Sequence, residues 1–173
     1  VAVTATGLNF RDVMLARGLL PERILEGGAS GAELGLEWAG HVLRGDGFAP
    51  GAAVFGVTGG AFASHLTLPA AQVHPVPEGL AALVAAGMPV AGLTAHDALM
   101  AVAGLQRGES VLIHGGAGGV GLAAIRIAAD AGARVFATAS SPDKRAIALA
   151  AGAEACFDSR SDSFVQDLRC ATG

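Results

Sequence analysis

Apolar and polar positions alternate at the start of the chain, where Val1, Val3 and Ala5 are separated by small or polar residues, the pattern of a half-buried strand. Gly7-Leu8-Asn9 closes that strand; Asn9 suits a helix N-cap, and Asp12 places negative charge in the first turn. Val13, Met14 and Leu15 carry the helix toward Gly18, and Pro21 bars a long continuation. Residues 26–33 (EGGASGAE) read as a loop. Leu36 to Leu43 and Ala52 to Val57 read as short strands around the turn Gly45-Asp46-Gly47, and Phe62 to Leu68 alternates again before Pro69. The chain is therefore mostly β up to residue 78.

The period changes after Pro75-Val76-Pro77. From Glu78 to Ala103 the chain is rich in Ala and Leu at helical spacing, interrupted at Gly87-Met88-Pro89 and stopped at Gly104. Ser110 to His114 is a short apolar run; Val120 to Asp130 is helical and ends at Gly132. Arg134 to Thr138 is a second apolar run, Pro142 to Ala151 a second helix, and Ala155 to Phe157 a third strand. Strand–helix–strand–helix–strand predicts a parallel sheet wound by right-handed crossovers. Two domains are expected, residues 1–78 and 79–173.

Composition narrows the function classes. Hydrophobic residues are 52% of the 173 and charged ones 15%, so the chain buries a core. A net charge of −4 lacks the basic footprint of a nucleic-acid binder. No stretch resembles a targeting signal or a membrane span, since Leu80 to Leu105 is broken by Pro89, His96 and Asp97. With only Cys156 and Cys170 there is no disulfide framework, which makes a cytoplasmic protein the expectation. His41, His65 and His74 lack metal-ligand spacing, and no metal site is expected.

The chemistry concentrates in Val111-Leu112-Ile113-His114-Gly115-Gly116-Ala117-Gly118-Gly119-Val120-Gly121. G-x-G-x-x-G falls on Gly116, Gly118 and Gly121, and its position between an apolar strand and a helix raises it above a chance match. In this reading Gly116 serves the tight turn, Gly118 the approach of backbone to a pyrophosphate, and Gly121 the close packing of helix on strand. Unpaired N–H groups of the helix N-terminus then face the phosphates. The whole segment from Gly115 through Gly121 is the candidate cofactor loop, with His114 orienting its backbone. The second strand ends in Thr138-Ala139-Ser140-Ser141 without the acid that binds a ribose 2′-hydroxyl, and Lys144 and Arg145 follow. Hydroxyls and cations there suit a 2′-phosphate, so NADPH is expected over NADH.

These residues stand among others that extend the pattern: Gly7-Leu8-Asn9-Phe10-Arg11-Asp12-Val13-Met14-Leu15-Ala16, Leu34-Gly35-Leu36-Glu37-Trp38-Ala39-Gly40, Pro89 through Leu99, Gly108 through Gly121, and Ser159-Arg160. In that order and spacing the chain resembles the enoyl reductase domain of type I polyketide and fatty acid synthases, in the medium-chain dehydrogenase/reductase superfamily that also holds zinc-free quinone reductases. The resemblance implies a GroES-like substrate domain, partial here, followed by the first part of a doubly wound Rossmann domain. It also implies NADPH-dependent reduction of a trans-2-enoyl thioester on acyl carrier protein, with hydride going to the β-carbon. Asn9 and Thr94 are implied to lie near the nicotinamide. Zinc dehydrogenases place a Cys ligand where this chain has Asn9-Phe10-Arg11-Asp12. Other synthase domains and a second copy of the chain are the implied partners.

Departures from the family pattern are local. Leu19 and Leu20 stand where many synthase reductases have Tyr, and His96-Asp97 replaces a Tyr-Tyr pair. His96 is the one candidate proton donor, although a helix-surface or satisfied core histidine is the more ordinary reading. The family's proposed lysine and aspartate donors fall in sequence beyond Gly173. The strand at 110–114 is central in the 3-2-1-4-5-6 order, yet the strands read here lie to one side of it, which predicts an incomplete segment. A free-standing quinone or enone oxidoreductase, and a degenerate reductase kept as a structural spacer, are the alternatives.

Overall fold

A computed structural model describes residues 1–27 and 31–173, so part of the loop expected at 26–33 lies outside the described residues. The chain divides into two compact units, Val1–Val90 and Ala91–Gly173.

The first unit contains β1 (Ala2–Gly7), α1 (Phe10–Ala16), α2 (Glu22–Gly27), β2 (Glu37–His41), β3 (Ala53–Val57), β4 (Val73–Pro75) and α3 (Ala82–Gly87). Its four strands form an antiparallel sheet in the order β1-β2-β3-β4, with Trp38 opposite Gly56 and Ala39 opposite Phe55. Residues 37–40 of β2 are all buried because both faces of the sheet are covered. Trp38 packs with Val42, Val54, Ala61 and Val73. Ala39, on the other face, packs with Ala85 and Ala86 of α3.

Two expectations are corrected here. Phe62 to Leu68 forms no named strand; it meets β1 through the bridge Ala2–His65 and the bonds Val3 N to Ser64 O (2.9 Å) and Leu66 N to Val1 O (3.0 Å). Its alternation reflects Leu66 and Leu68 packing on the Trp38 core rather than a full ladder. The boundary also falls between Val90 and Ala91 instead of at residue 78. The prolines at 75 and 77 punctuate β4, while the small face of α3 still belongs to the sheet before it.

The second unit begins within α4 (Pro89–His96), which runs into a π-helical turn over Asp97–Val102. There the Ala103 N–H donates to Ala98 O, five residues back. Then come β5 (Ser110–Ile113), α5 (Gly119–Asp130), β6 (Arg134–Ala139), α6 (Pro142–Ala150), β7 (Ala155–Asp158) and α7 (Phe164–Thr172). The three strands are parallel in the order β5-β6-β7, the winding expected from the alternation. Central β6 is buried from Val135 to Ala139, against Ile113, Ile125, Ala128 and Ala148. Among the described residues β5 has β6 as its one strand neighbour.

Candidate cofactor site

The turn after β5 places the glycines in distinct roles. Gly115 has φ +67° and is the turn residue, a role the sequence reading assigns to Gly116. Gly116 is instead a packing residue: a Cβ there would lie 2.8 Å from the Ala137 Cβ and 3.3 Å from Ile125 Cδ1. Its N–H donates to Thr138 O (2.9 Å), tying the loop to β6. A Cβ on Gly121 would lie 2.3 Å from Gly115 O, so the start of α5 closes on the turn itself, where the sequence suggested packing on the strand. Gly118 is the N-cap, extended at φ −84° and ψ 168°; a Cβ there meets only Gly115 O, at 3.4 Å.

The N-terminus of α5 has the properties an anion needs. Gly118 offers no side-chain cap, and no acid occupies the first turn. The first N–H groups of a helix have no intrahelical acceptor, and the dipole favours negative charge beside them. Ala117, Gly119 and Val120 complete the loop with short or exposed side chains. His114 Nδ1 lies 3.0 Å from Thr138 Oγ1, and the ring meets Phe164 edge-on at 5.7 Å. Those contacts join the His114 side chain to β6 and α7 rather than to the loop backbone.

The end of β6 brings Ser140, Ser141, Lys144 and Arg145 to one corner. Ser141 caps α6 by accepting from Lys144 N at 3.4 Å. Lys144 is exposed. Arg145 lies back against the sheet, its Nη1 at 3.2 Å from Asp158 Oδ2 at the end of β7. That contact is ionic rather than directed, since the buried Nη1 has no acceptor in hydrogen-bond geometry. Asp158 Oδ1 also accepts from Arg160 N (2.9 Å). The sequence reading misses Asp158 because the strand register that sets it opposite Ala139 is not visible in local pattern. Nearby, burial pushes the Cys156 thiol above its ordinary pKa, with Arg145 pulling the other way.

Asn9 lies in the first unit, held from two sides. Its N–H donates to Asp12 Oδ2 (2.9 Å), and its Nδ2 donates to Glu37 Oε1 (3.0 Å). Asp12 Oδ1 further accepts from Gly35 N (2.8 Å). Asp12 and Glu37 are 2% and 3% exposed, far more buried than a helix-terminal or strand acid ordinarily is. Glu37 carries a readable signal, a charge inside the apolar run Leu36 to Ala39. Thr94 and His96 occupy exposed positions on α4, and His96 is thus the surface residue its ordinary reading implies. Among the described residues no three His, Cys, Asp or Glu side chains group as metal ligands, and no helix is long and apolar enough to cross a membrane.

Comparison with known proteins places this geometry. The profile of the family described as zinc-binding dehydrogenase matches residues 119–173. Erythronolide synthase EryA2 of Saccharopolyspora erythraea is 44% identical over 179 residues, covering 100% of this chain and 5% of that protein. The crystal structure of CurK enoyl reductase superposes with a TM-score of 0.91 at 36% identity, covering 99% of this chain and 54% of that one. The chain belongs to the medium-chain dehydrogenase/reductase superfamily, in its enoyl reductase branch. The Escherichia coli quinone oxidoreductase complexed with NADPH also matches this chain, at 30% identity and a TM-score of 0.85, over 100% of it and 53% of that protein. The chain thus spans a small part of the synthase and about half of the solved reductases.

Proposed function

We propose that the chain is the portion of an NADPH-dependent enoyl-thioester reductase of a polyketide or fatty acid synthase that carries the cofactor loop. The observation behind this reading is the uncapped start of α5, where Gly118 leaves room for one more atom and Gly121 holds the helix against the turn. NADPH, when bound, supplies the hydride delivered to the β-carbon of a trans-2-enoyl group on acyl carrier protein. The residues present fit such a group. Main-chain N–H groups from Gly119 to Gly121 hold the pyrophosphate; the Gly118 N–H closes the turn on Gly115 O (2.9 Å), and Gly115, Gly116 and Ala117 set that turn beneath it. Ser140, Ser141 and Lys144 hold the 2′-phosphate, with Arg145 adding charge that Asp158 partly offsets. Asn9 and Thr94 are proposed nicotinamide neighbours. Hydrogen-bond donors suffice to stabilise the thioester enolate, so the proposed hydride step uses no metal. A synthase setting makes the other catalytic domains, and a second copy of the chain, the partners, and the cytoplasm the compartment.

The test is NADPH and NADH binding to the intact protein, with turnover of a crotonyl thioester. Lys144→Ala should weaken NADPH roughly tenfold, about 1.4 kcal/mol, and leave NADH unchanged. Arg145→Ala should act in the same direction but less, because Asp158 already takes part of its charge. Equal loss for both cofactors overturns the 2′-phosphate assignment. The likeness to the E. coli enzyme supports a second reading, a quinone or enone oxidoreductase. Turnover of a quinone without turnover of the thioester selects it, and failure of the intact protein to bind NADPH selects a non-catalytic structural role.

A further inference from the structure

We infer that Glu37 is a positioning residue that fixes which end of the Asn9 carboxamide is turned toward the nicotinamide; this rests on the proposed place of Asn9 beside that ring. Glu37 is a carboxylate 3% exposed, and among the described residues no ion pair includes it. Burying a charge without a counter-charge is strongly unfavourable unless hydrogen bonds satisfy it. Here both oxygens are used: Oε1 accepts from Asn9 Nδ2 at 3.0 Å, and Oε2 accepts from Val90 N at 2.8 Å. Gly7 leaves the space for this carboxylate, since a Cβ at that position would lie 2.3 Å from Oε1.

An ionised carboxylate accepts and never donates. Facing Glu37, the Asn9 carboxamide has one permitted orientation, with its nitrogen on the carboxylate. Asp12 holds the same residue by its main chain, so neither backbone nor side chain is free to turn. A carboxamide can reverse its hydrogen-bonding polarity by a half-turn at almost no steric cost. A buried carboxylate at residue 37 removes that second state, whereas a purely structural link between β2 and α4 needs no charge.

Glu37→Gln tests this in the intact protein. The introduced amide has a single oxygen for two N–H donors. When that oxygen accepts from Val90, the new Nε2 faces Asn9 and Asn9 turns over. We expect the side-chain amide NMR signal of Asn9, measured without cofactor, to move upfield as its charge-assisted bond is lost. NADPH affinity by fluorescence should stay within about twofold, because the pyrophosphate loop is untouched, while kcat with crotonyl thioester falls about tenfold or more from misplacement. In the double variant Asn9→Asp with Glu37→Gln, the new amide donates to the new carboxylate and accepts from Val90, which restores both contacts with reversed polarity. Its Tm should recover toward wild type while kcat stays low. The inference is overturned if Glu37→Gln keeps wild-type kcat or an unmoved Asn9 signal, or if the double variant regains kcat together with Tm. Absence of NADPH-linked turnover in the wild type overturns the reductase reading itself, and the role of Glu37 with it.

Discussion

At Gly118 an added methyl group would meet nothing nearer than Gly115 O at 3.4 Å, whereas at Gly121 the same methyl would lie 2.3 Å from that oxygen. The two glycines therefore answer to different causes. Gly118→Ala should lower stability by no more than the ~1 kcal/mol of a poorer N-cap, yet weaken NADPH roughly tenfold by filling the approach to the helix N-terminus. Gly121→Ala should cost about 1–3 kcal/mol through overpacking, seen as a drop in Tm before any ligand is added. Unchanged NADPH affinity in Gly118→Ala would sink the pyrophosphate assignment. The motif was legible in sequence, but the division of labour was not: the turn falls to Gly115 because φ at each position depends on how β5 hands over to α5. Cysteine chemistry gives another residue-scale test. Cys170 is exposed, whereas burial raises the pKa of Cys156 and keeps it a thiol to higher pH. The thiolate is the reactive form, so an alkylating reagent near neutral pH should label Cys170 first. As pH rises past the ordinary thiol value of 9.0, the folded state is disfavoured, because the unfolded chain releases that proton more readily.

Among the elements, β6 and α5 carry the second core. Ile125 is fully buried between the sheet and α6, and Ile125→Ala should lower unfolding free energy by about 2–5 kcal/mol in a denaturant titration. The strands and helices of this unit were readable because a buried parallel strand is a short apolar run and its crossover helix an amphipathic one. The stretch from Glu78 to Ala103 was less so. The break read at Gly87-Met88-Pro89 is where α3 ends and α4 begins, and the stop read at Gly104 closes the segment, but the π-helical turn over Asp97–Val102 was not read. Alanine fits any helical register, so the sequence marks the Gly-Met-Pro break without marking the widened turn that follows α4. The short helix α7 was not visible either: its polar face and brief length leave it to be set by packing on β7.

For the whole molecule, the dividing point matters most. A fragment ending at residue 78 lacks α3 and the Val90 N–H, which leaves the Ala39 face open and Glu37 Oε2 without its donor. A fragment ending at Val90 keeps both. Unfolding followed by emission of Trp38, the single tryptophan and fully buried, should show the longer fragment melting higher and more sharply. Equal transitions for the two fragments would place the boundary back near the prolines.

What the sequence by itself determined is the class of each unit, the location of the glycine loop and the superfamily, because period, glycine spacing and ordered motifs are local properties of the chain. Only the tertiary structure decided that Asp12 and Glu37 converge on Asn9, that Asp158 engages Arg145, and that α3 packs on the first sheet. Those facts depend on which strand lies beside which, and on hydrogen bonds between residues far apart in the chain, as Glu37 is from Asn9 and from Val90, at 28 and 53 positions.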